Sequence, residues 1–231
     1  GAGTLIKNVS YKFSHLLHLR MCSLGCTQFN KMQPFPEVRC HHKFGTAVLI
    51  YPDGFKLDIA SARMEYYLQP GALPDVEHAS VKMDLSRRDF TINTLAISLN
   101  HNVFGEMLDY YGGQRDIEDK AIRVLHNLSF VEDPTRIFRA VRFEQRLGFN
   151  IGKQTEDLLL SAVRLGLMEK VSGSRIFNEL LLIMNEHQPL PGISRLARLD
   201  VLKYLHPSLT SKVDYSKSFD EARRATDWYD L

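Results

Sequence analysis

Glu132-Asp133-Pro134-Thr135-Arg136-Ile137-Phe138-Arg139-Ala140-Val141-Arg142-Phe143 is the stretch on which the reading of this chain turns. At ~100° per residue a helix here sets Ile137, Phe138 and Val141 on one side and gathers Arg136, Arg139, Arg142 and Arg146 on the other. Its start has two readings. Ser129 and Glu132 fit a capping box, whereas Asp133-Pro134 fits an N-cap followed by proline at the first helical position. Four arginines on one face repel each other unless something anionic meets them. That partner is either a nucleotide or nucleic-acid surface, or acids carried by neighbouring helices. Asp133 and Arg136 stand at the i, i+3 spacing, one accepting hydrogen bonds and the other donating them. Held rigidly, such a pair matches the Watson–Crick edge of adenine or cytosine, where an amine donates and a ring nitrogen accepts. It mismatches guanine and uracil.

Downstream the pattern stays helical. Ile176, Leu180, Leu181 and Ile183 form one apolar stripe, and Leu196, Leu199, Leu202 and Leu205 form another. Upstream, Tyr111-Gly112-Gly113-Gln114-Arg115-Asp116 breaks the chain sharply, because consecutive glycines permit positive φ. This is the seam between a strand-bearing part and a helical part. Before it, Val103–Asp109 reads as a short strand. Ser86-Arg87-Arg88-Asp89-Phe90-Thr91-Ile92-Asn93 reads as a helix start, with Ser86 and Asp89 as a variant capping box. Arg87 and Arg88 would then sit at the positive end of a helix and form a phosphate seat, the plainer alternative being a surface pair of Arg88 with Asp89. Gly45–Tyr51 and Phe55–Ala60, joined by Pro52-Asp53-Gly54, read as a β-hairpin. Phe55, Leu57 and Ile59 face inward, and Asp58 projects from mid-strand on the opposite face. The class is α+β.

The 231 residues are 44% hydrophobic and 24% charged, which fits a globular chain and excludes a disordered tail, a collagen-like fibre and a membrane span. Lys+Arg of 29 against Asp+Glu of 27 leaves a formal charge of +2, so any polyanion site is local. Three cysteines, Cys22, Cys26 and Cys40, make no disulfide scaffold and no zinc pattern, which points to a reducing, cytoplasmic setting. Gly1-Ala2-Gly3 resembles a cloning scar. The segment to Pro36 carries no acid, the first carboxylate being Glu37, so an organellar transit peptide is a minor alternative there. The charged tail Asp214–Leu231, with the single Trp228, packs a terminal helix or marks the edge of a further domain.

From about Gly45 to Arg175 the chain resembles the class II tRNA nucleotidyltransferase and bacterial poly(A) polymerase family of the DNA polymerase β superfamily. Arg87–Asn93 matches the family's RRDFTxN motif, and Glu132–Phe143 matches its EDxxRxxRAxRF motif. Asp109 with Gly112–Asp116 resembles the intervening neck motif, and Arg175 with Glu179-Leu180 the weaker motif that follows. The resemblance implies a nucleotidyltransferase head of mixed sheet and helices over residues 1–110, atypical or incomplete at its N-terminal end. A helical neck and body would follow over 111–231. It implies transfer of AMP, or of CMP and AMP, from ATP and CTP to the 3′ end of RNA, tRNA foremost, with magnesium as cofactor. CCA addition, A addition and polyadenylation are the sub-cases. By motif, Arg87, Arg88, Asp89 and Asn93 would hold triphosphate and ribose, Asp133 and Arg136 would read the base, and Arg139 and Arg142 would support that pocket.

The departure from the family concerns the metal. Members carry a glycine-glycine turn and an Asp-x-Asp strand upstream of the hairpin, and family spacing would put that aspartate pair at Ser14-His15-Leu16-Leu17-His18-Leu19. Imidazoles are poor ligands for magnesium, which prefers oxygen. Asp58 resembles the remaining catalytic and metal-binding carboxylate, and one carboxylate does not hold two ions. The chain is therefore expected to keep the nucleotide pocket and to show little or no transferase activity alone, as a truncated or non-catalytic nucleotide- and RNA-binding relative would.

Overall fold

The computed structural model describes residues 37–41, 46–66 and 75–229. The readings placed on residues 1–36, His15 and His18 among them, lie outside the described residues. The chain divides into two compact units, Gly1–Arg63 and Met64–Leu231.

In the first unit β1 (Glu37–His41), β2 (Thr46–Ile50) and β3 (Lys56–Ala60) form an antiparallel sheet in that order. The β2–β3 hairpin is the one its sequence predicts. Gly54 takes φ +84°, Gly54 N donates to Tyr51 O at 2.9 Å, and the Asp53 carboxylate accepts from Phe55 N at 2.9 Å. Val48 stands opposite Asp58, and Leu57 and Ile59 are half-buried on the other face while Asp58 is exposed. Phe55 departs from the pattern. It precedes the strand, is 61% exposed, and packs only its ring against Tyr51. A two-stranded sheet of β4 (Arg63–Tyr66) and β5 (Asp75–His78) follows, and apart from Arg63 it belongs to the second unit.

The second unit is mostly helical. Its elements are α1 (Val81–Ser86), β6 (Ala96–Ile97), β7 (Met107–Leu108), α2 (Gly113–Glu118), β8 (Ala121–Ile122), α3 (Ser129–Glu132), α4 (Arg136–Leu147), β9 (Asn150–Ile151), α5 (Lys153–Arg164), α6 (Gly173–Met184), α7 (Pro189–Arg198) and α8 (Tyr215–Tyr229). Two local expectations are corrected here. The helix read as starting at Ser86 ends there: Ser80 is the N-cap, accepting from Met83 N, and the Ser86 hydroxyl donates to Met83 O. The strand read over Val103–Asp109 is only Met107–Leu108, because Val103 closes a 3-10 turn and β6 offers just two partners.

One core holds this unit together. Ile137, Phe138, Ala140 and Val141 of α4 are buried with Phe90, Ile122, Phe130, Leu159, Ile176, Ile183 and Leu196. Each large side chain removed from water contributes roughly 1.5–3 kcal/mol. Phe90, inside the RRDF run, is fully buried there, its ring edge-on to Phe143 at 5.8 Å, so this motif is fastened to the helical core. The seam is equally tight. Gly112 takes φ +76°, and a Cβ on Gly113 would lie 2.6 Å from Thr91 O, so only glycine fits. Asp109 caps α2 by accepting from Gly113 N at 2.8 Å and Gln114 N at 3.0 Å. Of the two C-terminal stripes, Leu196, Leu199 and Leu202 are buried, whereas Leu181 of the other is exposed.

Candidate functional site

The site is built on the break between α3 and α4. Asp133 precedes a proline and is extended, at φ −136° and ψ 93°, which ends α3. Its carboxylate then caps the next helix, Oδ1 accepting from Thr135 N at 3.0 Å and from Thr135 Oγ1 at 2.6 Å. Of the two readings of the start, the Asp133-Pro134 one comes nearer, but Pro134 is not the first helical residue: Asp133 and Pro134 form the turn ahead of α4, which opens at Arg136 with Thr135 as N-cap. The Ser129–Glu132 capping box does not form: Ser129 is buried inside α3, and its hydroxyl accepts from Arg136.

Arg136 is 2% exposed, so it sits with the apolar side of α4 rather than on an outer cationic face. Its Nε donates to Asp89 Oδ1 at 3.0 Å, Nη1 to Ser129 O at 3.1 Å and Ser129 Oγ at 2.8 Å, and Nη2 to Arg87 O at 3.0 Å. Among the described residues, one N–H, on Nη2, has no acceptor.

Arg139 is the hub. Nε donates to Asp89 Oδ2 at 2.7 Å and Nη2 to Asp89 Oδ1 at 3.0 Å and Asp133 Oδ2 at 2.9 Å, while Nη1 donates to Thr135 Oγ1 at 2.8 Å and Glu179 Oε1 at 2.7 Å. All five donors of the guanidinium are engaged. Arg175 reaches the same cluster, donating to Asp133 Oδ1 at 3.0 Å. Among the described residues, Asp133 therefore has three bonds on Oδ1 and a single one on Oδ2.

Electrostatics follow from this packing. Burial alone would raise the Asp133 pKa, but the Arg139 charge, the Thr135 hydroxyl and Arg175 outweigh it and hold the carboxyl below its ordinary value. Burial would lower the Arg139 pKa, and Asp89 and Asp133 reverse that, so the guanidinium stays charged at every accessible pH. A hydrogen-bonded cluster of this kind is costly to break, because the partner left behind is a buried, uncompensated charge.

The arginine face of α4 is thus answered by acids from elsewhere in the chain, Asp89, Asp133 and Glu179 for Arg139 and Glu186 for Arg146. Of the two readings of that face, this is the pairing with protein acids. Arg142 differs: its Nε is buried without an acceptor, and its guanidinium lies 5.6 Å from the Phe143 ring centre.

Arg87 and Arg88 lie at the C-terminal end of α1, not at a helix start. There the helix dipole favours cations, and both reach Asp84, Arg87 Nη2 at 2.8 Å and Arg88 Nη2 at 3.4 Å. A phosphate seat here rests on guanidinium charge alone, and half-exposed Arg88 is the more accessible of the two. Asn93 closes a 3-10 turn and has its Oδ1 buried without a partner.

The structure thus brings Asp89, Asp133, Arg136 and Arg139 into one cluster and adds Ser129, Thr135, Arg175 and Glu179. Glu179 carries a sequence signal that is easily overlooked. Arg139 and Arg146 are separated by the same seven positions as their partners, Glu179 on α6 and Glu186 two residues beyond its end.

Magnesium finds no ligand set here. Among the described residues no group of three or more His, Cys, Asp or Glu is placed to hold a metal ion. Asp58 is an exposed carboxylate facing Val48 across its hairpin, and one carboxylate does not hold a two-metal centre. The described residues do not fit that cofactor.

Residues 27–123 match the poly A polymerase head domain, and residues 148–213 match the probable RNA and SrmB-binding site of polymerase A. The two occur in family order, with the EDxxR segment between them. The chain belongs to the tRNA nucleotidyltransferase and poly(A) polymerase family. Within that family, an A-adding tRNA nucleotidyltransferase of Geobacter sulfurreducens is 55% identical over 195 residues, covering 84% of this chain and 22% of the relative. The apo form II structure of a CCA-adding enzyme is 50% identical with a TM-score of 0.73, covering 82% of this chain and 44% of that one. A Thermotoga maritima CCA-adding enzyme complexed with tRNA is 46% identical with a TM-score of 0.64, covering 74% and 38%. The chain spans between about a fifth and just under half of the length of these relatives. Among the described residues no helix is long and apolar enough to cross a membrane.

Proposed function

We propose that this chain is the base-selecting part of an RNA nucleotidyltransferase that transfers AMP from ATP, without a template, to the 3′ end of tRNA in the cytoplasm. The observation that supports it most is what the buried cluster leaves uncommitted: an acceptor site on Asp133 Oδ2 and a donor on Arg136 Nη2. One acceptor and one donor are the complement of adenine's amine and ring nitrogen. Cytosine presents the same pair, so CMP transfer fits the same cluster. Asp89 and Arg139 hold both readers in place, which lets protein rather than a complementary strand choose the nucleoside. Arg87, Arg88 and Asn93 face the triphosphate and ribose, and Arg142 supplies a further donor. The names of the relatives agree with AMP transfer and with tRNA as acceptor.

Photolabelling with 8-azido-ATP tests this. The expected result is label on peptides spanning Asp133 to Arg142, competed away by ATP and not by GTP. Labelling elsewhere, or equal competition by GTP, overturns the proposal.

A further inference from the structure

The geometry points to Glu179 as a second base-selecting carboxylate, whose free oxygen accepts a hydrogen bond from the exocyclic amine of the incoming adenine. The inference rests on the base-selecting reading of Asp133 and adds a residue to it. Glu179 Oε1 is held by Arg139 Nη1 at 2.7 Å, and Asp133 Oδ2 by Arg139 Nη2 at 2.9 Å. Both nitrogens belong to one planar guanidinium, so a single side chain holds the two carboxylates.

Glu179 Oε2 is buried and has no hydrogen-bond partner. Buried polar atoms are paired in the great majority of cases, and a carboxylate oxygen left bare inside a protein calls for a donor. Arg139 has none to offer, since its five N–H groups are engaged. Arg142 Nε, the buried donor without an acceptor one turn further along α4, is not bonded to this oxygen either, which leaves it to a ligand. An ionised carboxylate only accepts, so the ligand atom must be N–H or O–H, and the neighbouring free site of Asp133 asks for the same. An amine carries two hydrogens and answers both carboxylates, whereas guanine and uracil would set a carbonyl oxygen against them.

Equilibrium titration of the 231-residue chain with ATP, GTP and 2′-deoxy-ATP tests this, using wild type, Glu179→Gln and Glu179→Met. In Glu179→Gln the amide oxygen keeps the Arg139 bond and the amide nitrogen puts a donor where the free acceptor was. The expected result is about a tenfold or greater loss of ATP affinity and an ATP:GTP ratio falling toward one. Glu179→Met also removes the Arg139 bond and should lower the melting temperature; measured below that temperature, it should weaken ATP with no gain for GTP. Glu179→Gln with the wild-type ratio overturns this inference alone, as does a dependence on Glu179 that disappears with 2′-deoxy-ATP, which would assign the oxygen to the ribose. Absence of ATP preference in wild type overturns the base-selecting reading and this inference together.

Discussion

At the scale of single residues, Arg139 is the group whose loss is felt most. Replacing it with lysine leaves a point charge that cannot span Asp89, Asp133 and Glu179 together. Arg139→Lys is expected to lower stability by about 3 kcal/mol or more, read as a fall in the urea midpoint at unchanged slope. A loss under about 0.5 kcal/mol, the range of surface substitutions, would show that the cluster is not coupled. Asp133 gives the pH dependence. Its folded pKa lies below the unfolded one, so its contribution to stability is complete above the ordinary carboxylate value and is lost as pH falls through the lowered folded value. The stability gap between wild type and Asp133→Asn should therefore hold from pH 7 to about 5 and begin to narrow only below the ordinary carboxylate value of about 4. A gap that is already narrowing above about pH 5 would contradict the ionised Asp133 of this network.

At the scale of elements, the hairpin and the helical character of the EDxxR run were legible because period and turn chemistry are local. Ser86-x-x-Asp89 has the form of a cap, yet Ser80 opens that helix and Ser86 closes it, and Arg87 and Arg88 suit a helix end as well as an anion site. The start of α4 was legible only to within about a turn, and the separate short helix α3 ahead of it was not. At the seam, Gly113→Ala would drive a Cβ to 2.6 Å from Thr91 O, and no flexible side chain is there to yield. It should cost about 2 kcal/mol or more, measured by thermal denaturation. Asp109→Ala removes the carboxylate that accepts from Gly113 N and Gln114 N, and should cost about 1 kcal/mol. If both substitutions leave the melting temperature where it was, the seam does not anchor α2.

At the scale of the whole molecule, the two motifs identified the family from the sequence, while the partners of their side chains did not show. Asp89 lies 47 and 50 residues from the arginines it binds, and Glu179 lies 40 from Arg139, distances that no local pattern encodes. Because of those partners, the arginine face is not an open anion surface, and selectivity rests on the few donor and acceptor sites the cluster leaves over. The most direct measurement is the ratio of dissociation constants for ATP and GTP, taken on wild type and on Asp133→Asn under one set of conditions. The account expects ATP to bind wild type about tenfold or more tightly than GTP, and that margin to vanish in Asp133→Asn. Equal affinities in wild type, or an undiminished margin in the variant, would contradict it.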